Sequence, residues 1–166
     1  MIHVCPLSAL GDIQQQRRPL HLVSLLSPGH DLDVELAADI KVLTLRFHDI
    51  AVATPDLIAP DRMAIERLIG FSRDWRPDTP MLIHCFAGIS RSSAAAFIMA
   101  CEKKPGHEYN IARELRQRAP FATPNRLMVA IADDVLGRGG RMVDAIAAIG
   151  RGADAFEGTP YELPVV

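Results

Sequence analysis

Cysteine is scarce in this chain and its charges nearly cancel. The three cysteines among 166 residues, Cys5, Cys85 and Cys101, are an odd and sparse set, unlike the disulfide framework of a secreted scaffold. A reducing, cytoplasmic setting is therefore expected. A net charge of −2 and a pI near 6.3 leave no basic surplus for nucleic acid or an anionic membrane surface, and neither is expected as a partner. No apolar run approaches the length of a membrane span. The opening Met1-Ile2-His3-Val4-Cys5-Pro6 lacks a basic region followed by a long apolar stretch, so no signal peptide is expected. There is no His-x-Glu-x-x-His pattern and no cysteine pair at zinc spacing, so neither metal nor cofactor is expected. What the chain does have is 49% hydrophobic residues, in a length that suits one compact domain over residues 1–166.

Apolar runs and breakers order that domain. Ile2–Cys5 reads as a short strand, and Ser8 as the cap of a weak helix reaching Gln16. His21–Leu26 reads as a buried strand closed by Ser27-Pro28-Gly29. Asp33–Ile40 is expected to be a short helix and Lys41–Phe47 a strand. A loop over 48–60 precedes a helix from about Asp61 to Trp75, with Met63, Ile65, Leu68, Ile69 and Phe71 near one side. A central strand at 81–84 follows, then an Ala-rich helix. Helices are expected at His107–Arg118, from Asn125 to about Leu136, and at Met142–Ile149, with an extended tail over 151–166. Strands alternating with helices predict an α/β fold with a mainly parallel sheet flanked by helices. The Gly-Arg pieces at 137–141 and 150–152 are too short and aromatic-poor for an RNA-binding tract and read as helix caps.

The chemistry concentrates at residues 82–93, Leu-Ile-His-Cys-Phe-Ala-Gly-Ile-Ser-Arg-Ser-Ser. A buried strand, a tight loop and a helix start are written there in succession. A loop feeding a helix N-terminus points free N–H groups at one spot, and the helix dipole adds positive potential, so such a site holds an anion. Cys85 begins the loop, where that field favours its ionised, nucleophilic form. Gly88 permits the positive φ that makes successive N–H groups converge. Arg91 supplies a planar fork of donors for two phosphate oxygens. A nucleophilic sulfur beneath a phosphate cradle is suited to phosphoryl transfer, and Ser92 is placed to donate to that sulfur as it leaves a phosphocysteine.

His84-Cys85-x-x-Gly88-x-x-Arg91-Ser92 resembles the signature of the cysteine-dependent protein tyrosine phosphatase superfamily, and the chain looks like its compact dual-specificity members. A five-position match arises by chance in roughly a few chains per 10⁵ of this length. The resemblance implies a phosphate-binding loop of Phe86, Ala87, Gly88, Ile89, Ser90 and Arg91, which phosphate or sulfate would occupy. It implies that His84 orients the loop rather than acting as a base. It also implies a general acid on a loop. Asp49 closes Phe47-His48-Asp49 at a strand end, 36 residues before Cys85, and strand ends of a parallel sheet share one face. Asp56 is the rival, with Asp61 and Asp78 behind it. Pro124-Asn125 resembles a Pro-Asn pair that opens a helix in these phosphatases. Asn125 is a sound N-cap by itself, and the resemblance implies that it also braces the loop.

The expected activity is hydrolysis of a phosphate monoester through a phosphocysteine. The substrate is a phosphorylated protein or a small phosphate ester. Phe86, Ala87, Ile89 and Ser90 lack the Lys or Arg that phosphoinositide phosphatases of the superfamily tend to carry there, which argues against a highly phosphorylated inositol. The chain is short and without an evident recognition loop, so a shallow site for phosphotyrosine is expected, with phosphoserine and phosphothreonine open. Two other readings stay open: a non-catalytic phosphoprotein-binding module, and a sulfur- or arsenate-handling enzyme on a related cysteine loop. Cys5 or Cys101 could serve as a resolving thiol for Cys85.

Overall fold

In the computed structural model, which describes residues 1–165, five strands form one sheet in the order β3-β2-β4-β1-β5. Strands β1 (Ile2–Pro6), β2 (His21–Leu26), β3 (Lys41–Arg46) and β4 (Met81–Cys85) are mutually parallel. β5 (Tyr161–Leu163) adds antiparallel to β1 at the edge. The helices are α1 (Leu10–Arg17), α2 (Arg62–Asp74), α3 (Arg91–Lys103), α4 (Glu108–Arg118), α5 (Arg126–Val135) and α6 (Arg141–Ile149). This is the α/β fold the alternation predicted, with the cysteine-bearing strand β4 at the centre.

Pleating divides the sheet into two faces. Val4, Val23, Leu25, Leu45, Ile83 and Cys85 belong to the larger core, which α2, α3 and their neighbours cover. Cys5, Leu22 and Leu82 face the other way, with Leu10 of α1. Helix α3 is buried along its length from Arg91 to Cys101. The short side chains of Ala94, Ala95 and Ala96 let the sheet and surrounding helices approach it closely, which fixes the helix start beside the end of β4.

Four expectations are corrected. Asp33–Ile40 is not helical: Leu32, Val34 and Leu36 alternate and pack onto the smaller core. The Gln14 side chain ties that segment down through the Glu35 carbonyl (3.0 Å) and the Ala37 N–H (3.4 Å). Ser8 caps no helix; it sits in a 3₁₀ turn, Leu7–Ala9, and its hydroxyl bonds Glu157. Met63 is exposed on α2 rather than on its buried side. The tail does not merely extend but pairs with β1, and its last residue, Val166, lies outside the described residues.

Candidate active site

Residues 86–90 turn from β4 into α3, and their carbonyls are turned outward and held there. The Phe86 oxygen accepts from Leu7 N–H (3.1 Å), Ala87 from Gly158 (2.8 Å), Ile89 from Thr123 (3.0 Å) and Ser90 from Asn125 (3.3 Å). A trans peptide is planar, with its C=O and the following N–H pointing in opposite directions. Anchoring these four carbonyls outside therefore aims the N–H groups of Ala87, Gly88, Ser90 and Arg91 inward. None of the N–H groups of 86–90 has an acceptor among the described residues. Gly88 adopts φ +70°, and a Cβ there would stand 2.7 Å from the Pro6 nitrogen. Glycine is thus required twice, for the turn and for the close approach of β1.

Cys85 and Ser92 meet inside this concavity, sulfur to hydroxyl oxygen 3.1 Å. Both are buried, as is Arg91 at 5% exposure. One Arg91 nitrogen, Nη1, donates to the Phe47 carbonyl (2.9 Å) and to the Ser27 hydroxyl (3.2 Å). Its Nε has no partner, and Arg91 forms no ion pair among the described residues. A buried cation without a counter-charge is costly unless an anion joins it. His84 faces away, its Nε2 2.7 Å from the Ser24 hydroxyl. Burial drops its pKa to about 4, and the Arg91 charge adds to this. A neutral imidazole wedged between β2 and β4 orients the strand end and holds no proton to exchange near pH 7.

Asp49 stands at the rim, exposed, with one carboxylate oxygen accepting from the Ser90 hydroxyl (2.7 Å) and the Asn125 side-chain amide (2.9 Å). Asn125 also donates to the Ile50 carbonyl (3.1 Å) and caps α5 by accepting from Met128 N–H (3.0 Å). The side chain thus caps α5 and holds the Asp49 segment, while the contact with the phosphate loop comes from the Asn125 backbone N–H. Two of the rivals are occupied elsewhere. Asp61 caps α2 through Ala64 N–H (2.8 Å), and Asp78 pairs with Arg76 in an exposed turn. Asp56 sits exposed in a left-handed turn at φ +63°. His48 accepts from Ile58 N–H (2.8 Å) and closes the 48–58 loop.

Comparison with solved structures finds the same fold elsewhere. DUSP15 is similar at 21% identity with a TM-score of 0.59, each chain covered over 89% of its length. The human tyrosine phosphatase-like serine/threonine/tyrosine-interacting protein is similar at 18% identity and TM-score 0.62, over 83% of this chain and 92% of its own. PTPMT1, solved in complex with PI(5)P, is similar at 11% identity and TM-score 0.58, over 84% of this chain and 94% of its own. The chain has the fold of the tyrosine and dual-specificity phosphatases. No family model matches the sequence, and no curated protein matches it.

Within this phosphatase fold, the supports of the site escaped the sequence reading. Ser24, Ser27, Thr123, Gly158 and the Phe47 carbonyl act through bonds across 34 to 71 residues of chain, and no local motif announces them. The resolving-thiol reading meets an obstacle: the register pairs Cys5 with His84 and Pro6 with Cys85, so Cys5 and Cys85 lie on opposite faces of the sheet. Burial, with the Cys85 thiolate adding, pushes the Cys5 thiol up to about 12, and burial likewise raises the Cys101 thiol. Beside the site, a cleft of about 360 Å³ is lined by Leu7, Leu26, Ser27, Asp31, Phe86 and Arg91, among others. A larger cavity of about 570 Å³ lies between the end of α1 and residues 35–39. It holds no nucleophile, so size does not mark the chemistry here. No group of three or more metal-ligating side chains occurs among the described residues, and no helix there is long and apolar enough to cross a membrane.

Proposed function

We propose that this protein is a phosphatase that hydrolyses aryl phosphate monoesters, phosphotyrosine foremost, through a phosphocysteine. The observation that carries the reading is the outward anchoring of the loop carbonyls, which leaves a ring of N–H donors and the unpaired Arg91 Nε around the Cys85 sulfur. Such preorganised donors stabilise the equatorial oxygens of a transferring phosphoryl group. The Cys85 thiolate attacks phosphorus in line, and the bond to the leaving oxygen breaks. Asp49, protonated, gives its proton to that oxygen. Water then attacks the phosphocysteine, losing its proton to Asp49, while Ser92 donates to the departing sulfur. Ser90 and Asn125 hold one oxygen of Asp49 and leave the other for this proton traffic. A thiolate nucleophile works in a reducing compartment, which fits the cytoplasm.

The walls favour a flat apolar leaving group. Leu7, Leu26 and the exposed Phe86 border the cleft next to Arg91, and Asp31 stands at its edge. The variable loop positions carry no cation to meet a second phosphate. This separates the chain from a lipid-phosphate reading, although PTPMT1 was solved with PI(5)P. One neighbour is described as phosphatase-like and interacting, so a binding module is the second reading. Aryl phosphate hydrolysis against pH, for wild type, Cys85→Ser and Asp49→Asn, tests both. The phosphatase reading expects Cys85→Ser to be dead, and Asp49→Asn to be slowed with a flattened basic limb. A wild type that binds phosphotyrosine peptide without turnover refutes it in favour of binding. A wild type preferring PI(5)P over phosphotyrosine refutes the substrate assignment.

A further inference from the structure

After α6 the chain returns beneath the phosphate loop before it reaches β5. Arg116 of α4 gathers the carbonyls of Ala119 (3.3 Å), Pro120 (2.7 Å), Ala122 (2.9 Å) and Gly150 (2.8 Å), fixing where this return begins. Ala153 N–H then donates to the Pro120 carbonyl (2.9 Å), and Gly152 N–H to the Thr123 hydroxyl (3.1 Å). Thr123 N–H in turn holds the Ile89 carbonyl, and Gly158 N–H holds the Ala87 carbonyl at 2.8 Å. Val4 pairs with Tyr161, and β1 runs on to Pro6, the residue against which Gly88 is pressed. The segment therefore reaches the loop by three routes.

Two glycines make the approach possible. A Cβ on Gly152 would stand 2.6 Å from the Ala122 carbonyl oxygen, and one on Gly158 would collide with the Phe121 ring. A segment that only ended the chain would need neither. Tyr161 sits on this strap with its ring edge-on to Phe121 (6.1 Å, 71°), and its hydroxyl is buried without a partner. Burial holds its phenol above the usual range.

We infer that residues 150–163 form a positioning strap for the phosphate loop, with Gly158 its working residue and Phe121 the surface on which it is seated. Gly158 N–H pulls the Ala87 carbonyl outward, and peptide planarity turns the Gly88 N–H toward the anion. Thr123, held by Gly152, does the same for Ser90. The inference rests on the phosphatase reading for the identity of the anion, but not for the strap's effect on oxyanion binding.

The test uses the full chain and tungstate as the oxyanion probe, with affinity read by calorimetry and turnover by aryl phosphate hydrolysis. Gly158→Ala drives a methyl into Phe121 and displaces the strap. Tungstate affinity and kcat/KM are expected to fall together by at least about tenfold, the scale of losing one oriented donor. Phe121→Ala combined with Gly158→Ala makes room for the methyl and is expected to return affinity to within about threefold of Phe121→Ala alone. Tungstate affinity within twofold of wild type in Gly158→Ala, or a loss that Phe121→Ala does not relieve, overturns the strap. Should Gly158→Ala fail to fold, hydrogen exchange in the wild type decides. Tungstate is expected to slow exchange across residues 152–160, by linkage between loop and strap, and unchanged exchange overturns the proposal. A wild type that binds tungstate but turns over no aryl phosphate defeats the phosphatase reading alone; one that binds no tungstate defeats both.

Discussion

Acidification from pH 7 to pH 5 is expected to destabilise the native state chiefly through His84. The side chain is fully buried, hydrogen-bonded to Ser24, and held by burial at a pKa of about 4, against 6.5 for the free imidazole. Below pH 6.5 the unfolded chain takes up a proton that the native state refuses until about pH 4. Unfolding is thus linked to proton uptake, and stability falls as the pH falls through that window. Integrated from pH 7 to pH 5, the loss is about 2 kcal/mol, a large share of the total for a domain of this size. The assay is urea unfolding at half-unit pH steps for wild type and His84→Gln, whose amide can still reach Ser24 but does not titrate. His3 and His21, also lowered first by burial, titrate in both proteins and cancel in the difference. That difference is expected to be flat above pH 7 and to narrow by about 2 kcal/mol at pH 5. Parallel curves for the two proteins over pH 7 to 5 would refute the assignment of a neutral, proton-refusing His84.

Three further outcomes follow from the same geometry. Gly88→Ala forces a left-handed residue, at a cost of about 1–2 kcal/mol, and pushes a methyl against Pro6; urea unfolding should show at least that loss, with tungstate binding abolished. Ser92→Ala removes the group 3.1 Å from the Cys85 sulfur. It should slow breakdown of the phosphocysteine more than its formation, seen in stopped flow as a product burst with kcat and KM both lowered; a uniform loss without a burst contradicts the role. Asn125→Ala loses the cap of α5 and the brace on Asp49 together, which should cost about 1–2 kcal/mol by urea unfolding and slow the proton-donating step. Asn125→Asp, which keeps the cap, should recover the stability without the brace.

The parts of this protein that the sequence makes legible are those whose physics is local. Cys85, Gly88, Arg91 and Ser92 lie within eight residues, on one loop and one helix start, so their juxtaposition is written in the local sequence. The alternation of apolar strands and amphipathic helices is local too, and the sheet followed from it with β4 central. The segment 33–40 opens on Asp33, a residue type that also caps helices, yet it forms none. Its actual signal is the period-2 spacing of Leu32, Val34 and Leu36, which matters only once a sheet face and Gln14 exist to receive it.

The supports of the site were illegible for a different reason. Arg91 is steered by the Phe47 carbonyl, and the loop by N–H groups of Leu7, Thr123, Asn125 and Gly158. These are backbone groups, which every residue type but proline can supply in full, so their identity leaves no trace in composition or motif. Glycine is the exception, because it is needed where backbones approach too closely for a Cβ. Gly158 reads as an ordinary tail residue in the sequence and Gly152 as part of a capping Gly-Arg piece, yet each faces a neighbour that would collide with any side chain. Asp49 falls between the two cases. Its spacing from Cys85 brought it forward, but what sets it above Asp56 is the pair of donors from Ser90 and Asn125, one from the loop itself and one from a helix cap 76 residues away. The Ser90 hydroxyl ties Asp49, the proposed acid, directly to the phosphate loop. Asn125 adds the second tie from the cap of α5, so the proposed proton donor and the loop share one set of bonds.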